Sequence, residues 1–201
     1  MSADFVYLAS GSPRRRELLR QIGVPFRVVG AELDESPLPA ETPVAYVSRL
    51  AAAKAEAGWR GIGGLADAPV LAADTAVLLD GKILGKPRDK GHAENMLLEL
   101  SGRTHQVLTA VALRSAAGNQ IRLSESSVTF RNLEAGEARA YCNTGEPLDK
   151  AGAYAIQGFA AAFIANLQGS YSGVMGLPLF ETAALLSSAG LRLGLFAEPG
   201  S

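Results

Sequence analysis

The segment LASGSPRRRELL, residues 8 to 19, places serines, a glycine, a proline and three arginines where an apolar strand ends and a helix begins. Backbone N–H groups and the positive end of a helix dipole meet an anion at such a junction. Residues 10 to 12, SGS, let the backbone approach closely, and Arg14 and Arg15 add planar forks for phosphate oxygens. The segment predicts a phosphate-binding corner; the alternative is a capped helix with a solvated basic face. The Walker pattern GxxxxGK[ST] is absent, so this is no conventional P-loop.

Acidic residues supply the second element of a candidate site. Asp74 ends the apolar run PVLAAD, where open α/β sheets place their ligands, and Thr75 adds a hydroxyl. Glu32, Asp34 and Glu35 cluster in a loop after the second predicted strand. Mg²⁺ binds through one or two carboxylates plus substrate phosphates, so one acid of this loop with Asp74 would suffice. The alternatives are a capping role for Asp74 and a solvated loop for the cluster.

Two lysines add positive charge. Lys54 interrupts the alanine-rich run AAAKAEAG, and Lys86 follows a predicted hairpin in ILGKP. Each alone is typical of a solvated surface, but with two arginines they match the charge of a triphosphate. His92 and His105 lie in helical or strand contexts without a serine elbow, so no nucleophilic triad can be assembled. Attack by water, activated by a metal or a carboxylate, is the chemistry that remains.

The elements that must position these residues alternate between strand and helix early in the chain. The predicted strands are VYLA, VPFRVVG and PVLAADTAV, then a hairpin at VLLDGKIL, a long antiparallel pair around AAGNQ, and the apolar FIANL. The predicted helices are SPRRRELLRQIG, residues 43 to 57 ended by Gly58, RDKGHAENMLLELSG, LEAGEARAYCNTG, and residues 178 to 189. The chain after residue 195 is expected to fray. The predicted class is α/β, a mixed twisted sheet with flanking helices in two lobes around a central cleft.

Composition bounds the remaining choices. The chain has 201 residues, 48% of them hydrophobic, and a net charge of −1. No 18-residue apolar stretch and no signal-peptide pattern is present, which predicts a cytoplasmic protein without a membrane segment. The charge balance does not favour nucleic-acid binding, including DNA contact through the arginines at 14 to 16. Cys142 is the single cysteine, so no internal disulfide forms, zinc ligands are too few, and a buried packing role is expected.

Six segments together resemble one family. LASGSPRRRELL, AADT, ILGKP, LSGRTHQVLTAV, GEPLDKAGAYAIQG and GSYSGVMGLPL match, in order and spacing, the motifs of the Maf family of nucleoside triphosphate pyrophosphatases, from about residue 6 to 187. The resemblance implies one domain over residues 1 to 201, folded like the inosine triphosphate pyrophosphatases, with the active site between two lobes. It also implies hydrolysis of a nucleoside triphosphate to the monophosphate and pyrophosphate with a divalent cation, Mg²⁺, Mn²⁺ or Co²⁺.

The resemblance assigns roles residue by residue. Asp74 matches the general base and a metal ligand, and Glu35 matches a second metal ligand. The substrate-binding positions are Ser12, Arg15, Lys54 and Lys86 on the triphosphate, and Arg14, Thr75 and Gln157 for substrate choice. Arg, Thr and Gln at those three positions resemble the dTTP/UTP branch, whereas the 7-methyl-GTP branch carries an aromatic residue, Gln and Glu. The amide of Gln157 offers a donor and an acceptor that complement O4 and N3–H of uracil or thymine; the alternative is a buried Gln that holds the glycine-rich loop.

Two functions from different classes remain. One is an enzyme that removes dTTP, UTP and modified pyrimidine nucleotides from the nucleotide pool, and the other is a nucleotide-binding regulator of septum formation that acts through a partner. Asp74 together with Glu35 favours the enzyme, because a sensor needs cations for phosphates but no base. The expected partner is the nucleoside triphosphate, and a homodimer is common in the family.

Overall fold

The computed structural model describes residues 4–63 and 68–191. The strands are β1 (Val6–Ala9), β2 (Phe26–Val29), β3 (Val70–Leu79), β4 (Lys82–Leu84), β5 (Thr104–Ser115), β6 (Gly118–Phe130) and β7 (Ile164–Gln168). The helices are α1 (Pro13–Gln21), α2 (Pro43–Gly61), α3 (Lys90–Leu100), α4 (Ala135–Asn143), α5 (Tyr171–Met175) and α6 (Leu179–Ser188). Short 3₁₀ helices span Glu146–Asp149, Ala151–Ala153 and Phe159–Phe163. The strands form one seven-stranded mixed sheet in the order β2-β1-β3-β5-β6-β7, with β4 paired to β3, which confirms the α/β class.

The chain divides into two compact units. The first unit comprises Met1–Asp74, Thr109–Ser124 and Gly176–Ser201, and the second comprises Thr75–Leu108 and Glu125–Met175. Strands β3, β5 and β6 therefore contribute residues to both units. Each unit is described below by itself.

In the first unit, β1 is the middle of a parallel set. It pairs with β2, Val6 opposite Phe26, and with β3, Tyr7 opposite Val70. Helix α2 packs against this set with a face of small and apolar residues, and its Leu50, Ala51 and Ala55 are fully buried. Parallel strands joined by helices bury both faces, which explains the nearly continuous apolar composition of β1 and β3.

The sequence predicts that helix α2 ends at Gly58, but in the structure it does not. The helix continues through Gly58 to Gly61, and Gly58 is buried. A Cβ built on Gly58 would lie 2.9 Å from Cβ of Ala9, 3.0 Å from Cγ1 of Val70 and 3.2 Å from Cγ2 of Val29. The glycine is therefore required for close contact between helix and sheet, and it is not a stop signal. The predicted start is confirmed, since the Thr42 side chain accepts a hydrogen bond from the Ala45 N–H at 3.3 Å.

Strand β3 also runs farther than predicted. Asp74 was expected at its carboxyl end, but the strand continues to Leu79. The reason is the hairpin, which the sequence did predict: Val77 pairs with Leu84, and the turn residues Asp80 and Gly81 have φ of 51° and 76°. Backbone pairing with β4 thus carries the strand past the charged residue, and Asp74 lies in mid-strand.

In the second unit, α3 and α4 pack together and against two of the 3₁₀ helices. An aromatic cluster includes Phe130, Tyr154 and Phe163, with edge-to-face ring contacts. Cys142 is buried, as expected. The predicted long strands, the helices near residues 90 and 135, and the last helix are confirmed; α5 and the 3₁₀ helices were not predicted, because short glycine-rich segments carry no periodic signal.

Two predictions fall outside this description. The chain after residue 195 and part of the GIGGLADA link, residues 64 to 67, lie outside the described residues. Within 4–63 and 68–191, the helices are all too short or too polar for a bilayer crossing.

Candidate active site

The junction of β1 and α1 orients one arginine. Ser12 occupies the N-cap position of α1, followed by Pro13, but its side chain makes no capping hydrogen bond. Its backbone N–H instead donates to Oγ of Ser10 at 3.2 Å. Arg15 donates from Nη1 to the same Oγ at 3.2 Å and from Nε to the carbonyl of Gly176 at 2.7 Å. Two anchors therefore hold the Arg15 guanidinium in the first turn of the helix, where the helix dipole favours negative charge.

Lys54 joins the two acids that the sequence assigned to the metal. Its Nζ lies 2.6 Å from Oε1 of Glu35 and 2.6 Å from Oδ1 of Asp74. The Lys54 and Asp74 side chains are only 12% and 9% exposed, whereas that of Glu35 is 47% exposed. Residues 35, 54 and 74, far apart in the chain, thus meet in one place.

The fold of the first unit explains this convergence. In the parallel register of β1 and β3, Leu8 is opposite Leu71, so the loop that follows β1 leads toward Asp74. Lys54 precedes Gly58 by one helical turn, on the face of α2 that packs on the sheet. The middle of β3, just past its parallel pairing with β1, and the buried face of the covering helix α2 therefore place the two charges side by side.

Side chains of α2 position the acidic loop that carries Glu35. The hydroxyl of Tyr46 donates to the Glu35 carbonyl at 3.0 Å. Arg49 donates to the Ser36 carbonyl at 3.1 Å and forms a two-pronged ion pair with Glu41, at 2.6 and 2.7 Å. A planar guanidinium that makes two hydrogen bonds to one carboxylate has a specific geometry, so Arg49 holds the acidic loop in one position relative to α2.

The structure distinguishes Glu35 from its acidic neighbours. Oδ1 of Asp34 accepts the Ser36 N–H at 2.9 Å, and hydrogen bonding from the side chain of Ser36, followed by that from its backbone, lowers the pKa of the Asp34 carboxyl. Asp34 therefore shapes its own loop, and Glu32 is exposed. Glu35 is the acid of this cluster that reaches Lys54.

Burial and neighbouring charges oppose each other at Asp74. Burial raises the pKa of its carboxyl above the ordinary value, Lys54 and Arg15 lower it, and the Glu35 carboxylate raises it again. Burial also lowers the pKa of Arg15, which Asp74 partly offsets. A guanidinium keeps its charge in proteins, so the site holds a fixed cation beside a carboxylate of increased basicity.

The donor set fits a hard divalent cation. One positive group already lies between two carboxylates, and Mg²⁺ uses one or two carboxylates together with phosphate oxygens and water. Within the described parts of the chain, His, Cys, Asp and Glu form no group of three or more that could hold a metal ion. A metal held by Glu35 and Asp74 would therefore take its other ligands from substrate and water.

The remaining predicted residues have these positions. Arg14 lies in the first turn of α1, partly buried, and its charge lowers the pKa of Arg15. Thr75, Lys86 and Gln157 belong to the second unit. Thr75 is partly buried in β3, and Lys86 and Gln157 are exposed. The first unit therefore brings together Ser12, Arg14, Arg15, Glu35, Lys54 and Asp74, and the assigned roles of all nine residues remain predictions.

Sequence reasoning missed two contacts in this arrangement, the hydrogen bond from Arg15 to the Ser10 hydroxyl and the one from Tyr46 to the Glu35 carbonyl. Ser10 accepts from Arg15, and the only available signal is its spacing of five residues within the SGSPRR segment. Tyr46 holds the Glu35 loop, and burial followed by the Asp74 and Glu35 charges raises the pKa of its hydroxyl. Tyr46, Leu50 and Lys54 recur every four residues, so a helical-face analysis of α2 would have found Tyr46.

Comparison with known proteins yields consistent sequence matches. The profile of the Maf-like protein family matches residues 5–189. A dTTP/UTP pyrophosphatase of Nitrosomonas europaea is 55% identical, over 96% of this chain and 98% of the relative. Proteins of the same name from Chromobacterium violaceum and Aromatoleum aromaticum are 51% and 54% identical, each over 94% of this chain and 96% and 97% of the relative. Among solved structures, the Ham1 protein of Staphylococcus aureus matches with a TM-score of 0.45 and 16% identity, covering 62% of this chain and 71% of that chain.

Proposed function

Because this chain belongs to the Maf-like protein family, we propose that it hydrolyses nucleoside triphosphates, preferably dTTP and UTP, to the monophosphate and pyrophosphate. Relatives that are 51% to 55% identical over nearly the whole chain are named dTTP/UTP pyrophosphatase. The observation that carries the proposal is the ammonium of Lys54 at 2.6 Å from both Glu35 and Asp74, beside the anchored Arg15. Carboxylates that could activate water and bind a metal ion therefore lie beside cations that could bind phosphates, all within the first unit.

Asp74 is the proposed general base. Its carboxylate orients a water molecule and accepts a proton from it as the water oxygen attacks the α-phosphorus. The bond from the α-phosphorus to the oxygen that bridges to the β-phosphate breaks, and pyrophosphate leaves. Burial raises the pKa of Asp74, which favours acceptance of a proton, whereas the charges of Lys54 and Arg15 favour its ionised form.

Cations receive the charge that develops on the leaving pyrophosphate. Arg15 is held ready by Ser10 and Gly176, so it needs no reorganisation when the substrate binds. Lys54 has a flexible side chain, and we propose that it changes partners. It is the counter-ion of two carboxylates in this structure, and it would bind phosphate oxygens when the substrate is present. Lys86 and Ser12 are further proposed contacts to the triphosphate.

A divalent cation, Mg²⁺, Mn²⁺ or Co²⁺, held by Glu35 and Asp74, would neutralise phosphate charge and act as a Lewis acid. Base selection is assigned to Arg14, Thr75 and Gln157. The Gln157 amide can donate to O4 and accept from N3–H of uracil or thymine, whereas cytosine presents the opposite pattern at these two atoms. This complementarity supports pyrimidine selectivity for bases with a 4-oxo group.

The test is a product assay over a panel of nucleotides. Purified protein is mixed with dTTP, UTP, CTP, GTP and ATP in the presence of Mg²⁺, Mn²⁺ or Co²⁺, and pyrophosphate and orthophosphate are measured separately. We expect pyrophosphate release, highest for dTTP and UTP, and none after chelation of the metal. Tight nucleotide binding without pyrophosphate would refute the enzyme and support a binding regulator, which no observation on the described residues favours.

The proposal extends to assembly and location. A homodimer is the proposed state in solution, and light scattering on the purified protein measures its mass directly. The proposed place of action is the cytoplasm, which fractionation of the source cells would test.

A further inference from the structure

The candidate base-reading residue Gln157 lies in a tight turn of the second unit. The turn consists of Ala155, Ile156, Gln157 and Gly158, and the N–H of Gly158 donates to the carbonyl of Ala155 at 3.0 Å. Ala155 and Ile156 are buried, whereas Gln157 is exposed. The side chain of Gln157 is therefore the polar group that this turn presents to solvent or to a ligand.

One carboxylate fastens the backbone on both sides of Gln157. The N–H of Ala155 donates to the hydroxyl of Tyr141 at 3.2 Å, and that hydroxyl donates to Oε1 of Glu146 at 2.8 Å. On the other side, the N–H of Phe159 donates to Oε2 of Glu146 at 3.3 Å. Both oxygens of Glu146 are engaged, one through Tyr141 and one directly.

Gly158 lies in direct contact with the same carboxylate. A Cβ built on Gly158 would overlap with both oxygens of the Glu146 carboxylate. The turn therefore rests on Glu146 so closely that no side chain fits between them. Contact of this kind transmits small displacements of the carboxylate to the neighbouring backbone.

The supporting groups are themselves fixed. Tyr141 is 4% exposed in the last turn of α4, and its ring packs edge-to-face on Phe163. Glu146 opens the 3₁₀ helix Glu146–Asp149, and its N–H donates to the hydroxyl of Thr144 at 3.2 Å. Burial and the hydrogen bond to Glu146 raise the pKa of Tyr141, so its hydroxyl remains a donor at any ordinary pH.

We propose that Glu146 and Tyr141 form a positioning pair that holds the turn of Gln157 and thereby sets discrimination between nucleobases. The inference rests on the proposed function and on the role assigned to Gln157. Neither residue of the pair is a catalytic residue; both act through the backbone at 155 and 159. Hydrogen-bond readout of a base depends on placement, and a misplacement of about 1 Å can cost on the order of 10²-fold in rate.

Conservative variants separate this role from general stability. Glu146→Gln keeps the shape of the side chain but replaces one acceptor oxygen with a donor, so the side chain can no longer accept from both the Tyr141 hydroxyl and the Phe159 N–H. Tyr141→Phe removes the hydroxyl that accepts from Ala155. The matched control is Glu94→Gln, which makes the same chemical change in an ion pair with Arg139 elsewhere in the second unit.

The first measurement needs no substrate. Amide hydrogen exchange at Ala155 and Phe159, followed by NMR, reports the two hydrogen bonds directly. We expect faster exchange at Phe159 in Glu146→Gln and at Ala155 in Tyr141→Phe, with the Glu94→Gln protein unchanged at both. Unchanged exchange rates at Ala155 and Phe159 in the Glu146 and Tyr141 variants would show that the pair does not hold the turn.

The second measurement is the ratio of kcat/KM for UTP to kcat/KM for GTP, with pyrophosphate as the product. We expect the ratio to fall about tenfold in Glu146→Gln, because a displaced Gln157 amide loses a hydrogen bond that it makes to uracil and not to guanine. A loss of folded protein alone lowers both constants equally and leaves the ratio intact. In a Gln157→Ala background, Glu146→Gln should no longer change the ratio, because the pair acts through Gln157.

The outcomes are distinguishable from those of the parent proposal. An active wild type whose ratio is insensitive to Glu146→Gln overturns the positioning role and leaves the proposed function intact. A ratio that falls equally with and without Gln157 also overturns it, because another route would then carry the effect. A wild type that releases pyrophosphate from no nucleotide overturns the proposed function, and this inference with it.

Discussion

At the scale of single residues, the candidate site is a balance of burial and charge. Asp74 lies in a strand whose other residues are almost all apolar and buried, and its neighbour across space is the ammonium of Lys54. Removing one partner of such a pair leaves the other charge uncompensated, whereas a neutral isostere leaves the packing in place. The arrangement therefore predicts effects on activity that are separable from effects on folding.

Asp74→Asn tests the general base. We expect turnover of dTTP and UTP to fall on the order of 10²-fold or more at neutral pH, since an amide accepts no proton from water. Rates of pyrophosphate release at neutral pH, with circular dichroism to verify folding, measure the effect. Near-normal turnover in the variant would remove Asp74 from this role.

His105 predicts a pH dependence of stability. Burial lowers the pKa of His105 from 6.5 to about 4, and its Nε2 lies 2.8 Å from the Tyr154 hydroxyl. Between these two pKa values the unfolded chain binds a proton that the folded protein does not, so stability is lost as pH falls from 6.5 to 4. The full loss is roughly 3 kcal/mol. Urea unfolding across this range should show the slope in the wild type, and a similar slope in His105→Gln would contradict it.

At the scale of elements, local signals located the helices but not all of their ends. Thr42 and Ser12 both precede a proline at the first turn of a helix, and the sequence treats them alike. Of these two residues, Thr42 uses its side chain as a cap in the structure, whereas the Ser12 region is organised around Ser10 and Arg15. The start of α1 is therefore shaped by contacts other than its own cap.

The two caps form a matched pair for mutation. Thr42→Ala should lower the free energy of unfolding by about 1 kcal/mol, because an orphan backbone N–H loses its acceptor. Ser12→Ala should lower it by much less, since the Ser12 side chain makes no capping hydrogen bond. Urea denaturation of both variants measures the difference. Equal losses of stability in the two variants would contradict this difference between Ser12 and Thr42.

Gly58 gives a second prediction for α2. In an exposed helix interior, replacing glycine with alanine stabilises, but here the new methyl group would overlap with Ala9 and Val70. We expect Gly58→Ala to reduce stability by about 1 to 3 kcal/mol, the usual cost of overpacking. Gly61→Ala is the control, since a Cβ built there meets nothing within 4 Å and should be neutral or mildly stabilising. Thermal denaturation compares the two, and a more stable Gly58→Ala protein would contradict the packing argument.

At the scale of the whole molecule, the carboxylates assigned to the metal already have a cationic partner. Lys54 lies between Glu35 and Asp74 and offsets their repulsion, so the fold does not depend on a divalent ion for that purpose. This differs from small domains in which metal binding supplies the folding energy. Metal dependence should therefore appear in activity and not in stability.

Chelation separates these two properties. After treatment with EDTA and without nucleotide, we expect the Tm to stay within about 1 °C of its value in the untreated protein. The reason is that EDTA removes no metal ion on which the folded state depends. Pyrophosphate release should be abolished and should return on addition of Mg²⁺ or Mn²⁺. Differential scanning calorimetry and the product assay report the two quantities, and a large fall in Tm would show a structural metal instead.

The sequence by itself determined the elements and the family. Strand and helix patterns, the Asp80–Gly81 hairpin and the alternation of β and α are local signals, and the structure confirms them. Motifs spread from residue 8 to 179 were specific enough to predict the Maf family, which the family profile confirms. Such signals are readable because each depends on residues that are neighbours in the chain.

Only the tertiary structure decided which charges meet. By residue type the three acids of one loop are equivalent, and only the family resemblance singled out Glu35. It is the packing of α2 on β1 and the parallel register of β3 that bring Glu35, and not Asp34, to Lys54. The role of Gly58 and the carboxylate of Glu146 beneath the Gln157 turn were invisible for the same reason. Contacts between residues distant in the chain depend on how elements pack, and no local pattern encodes that distance.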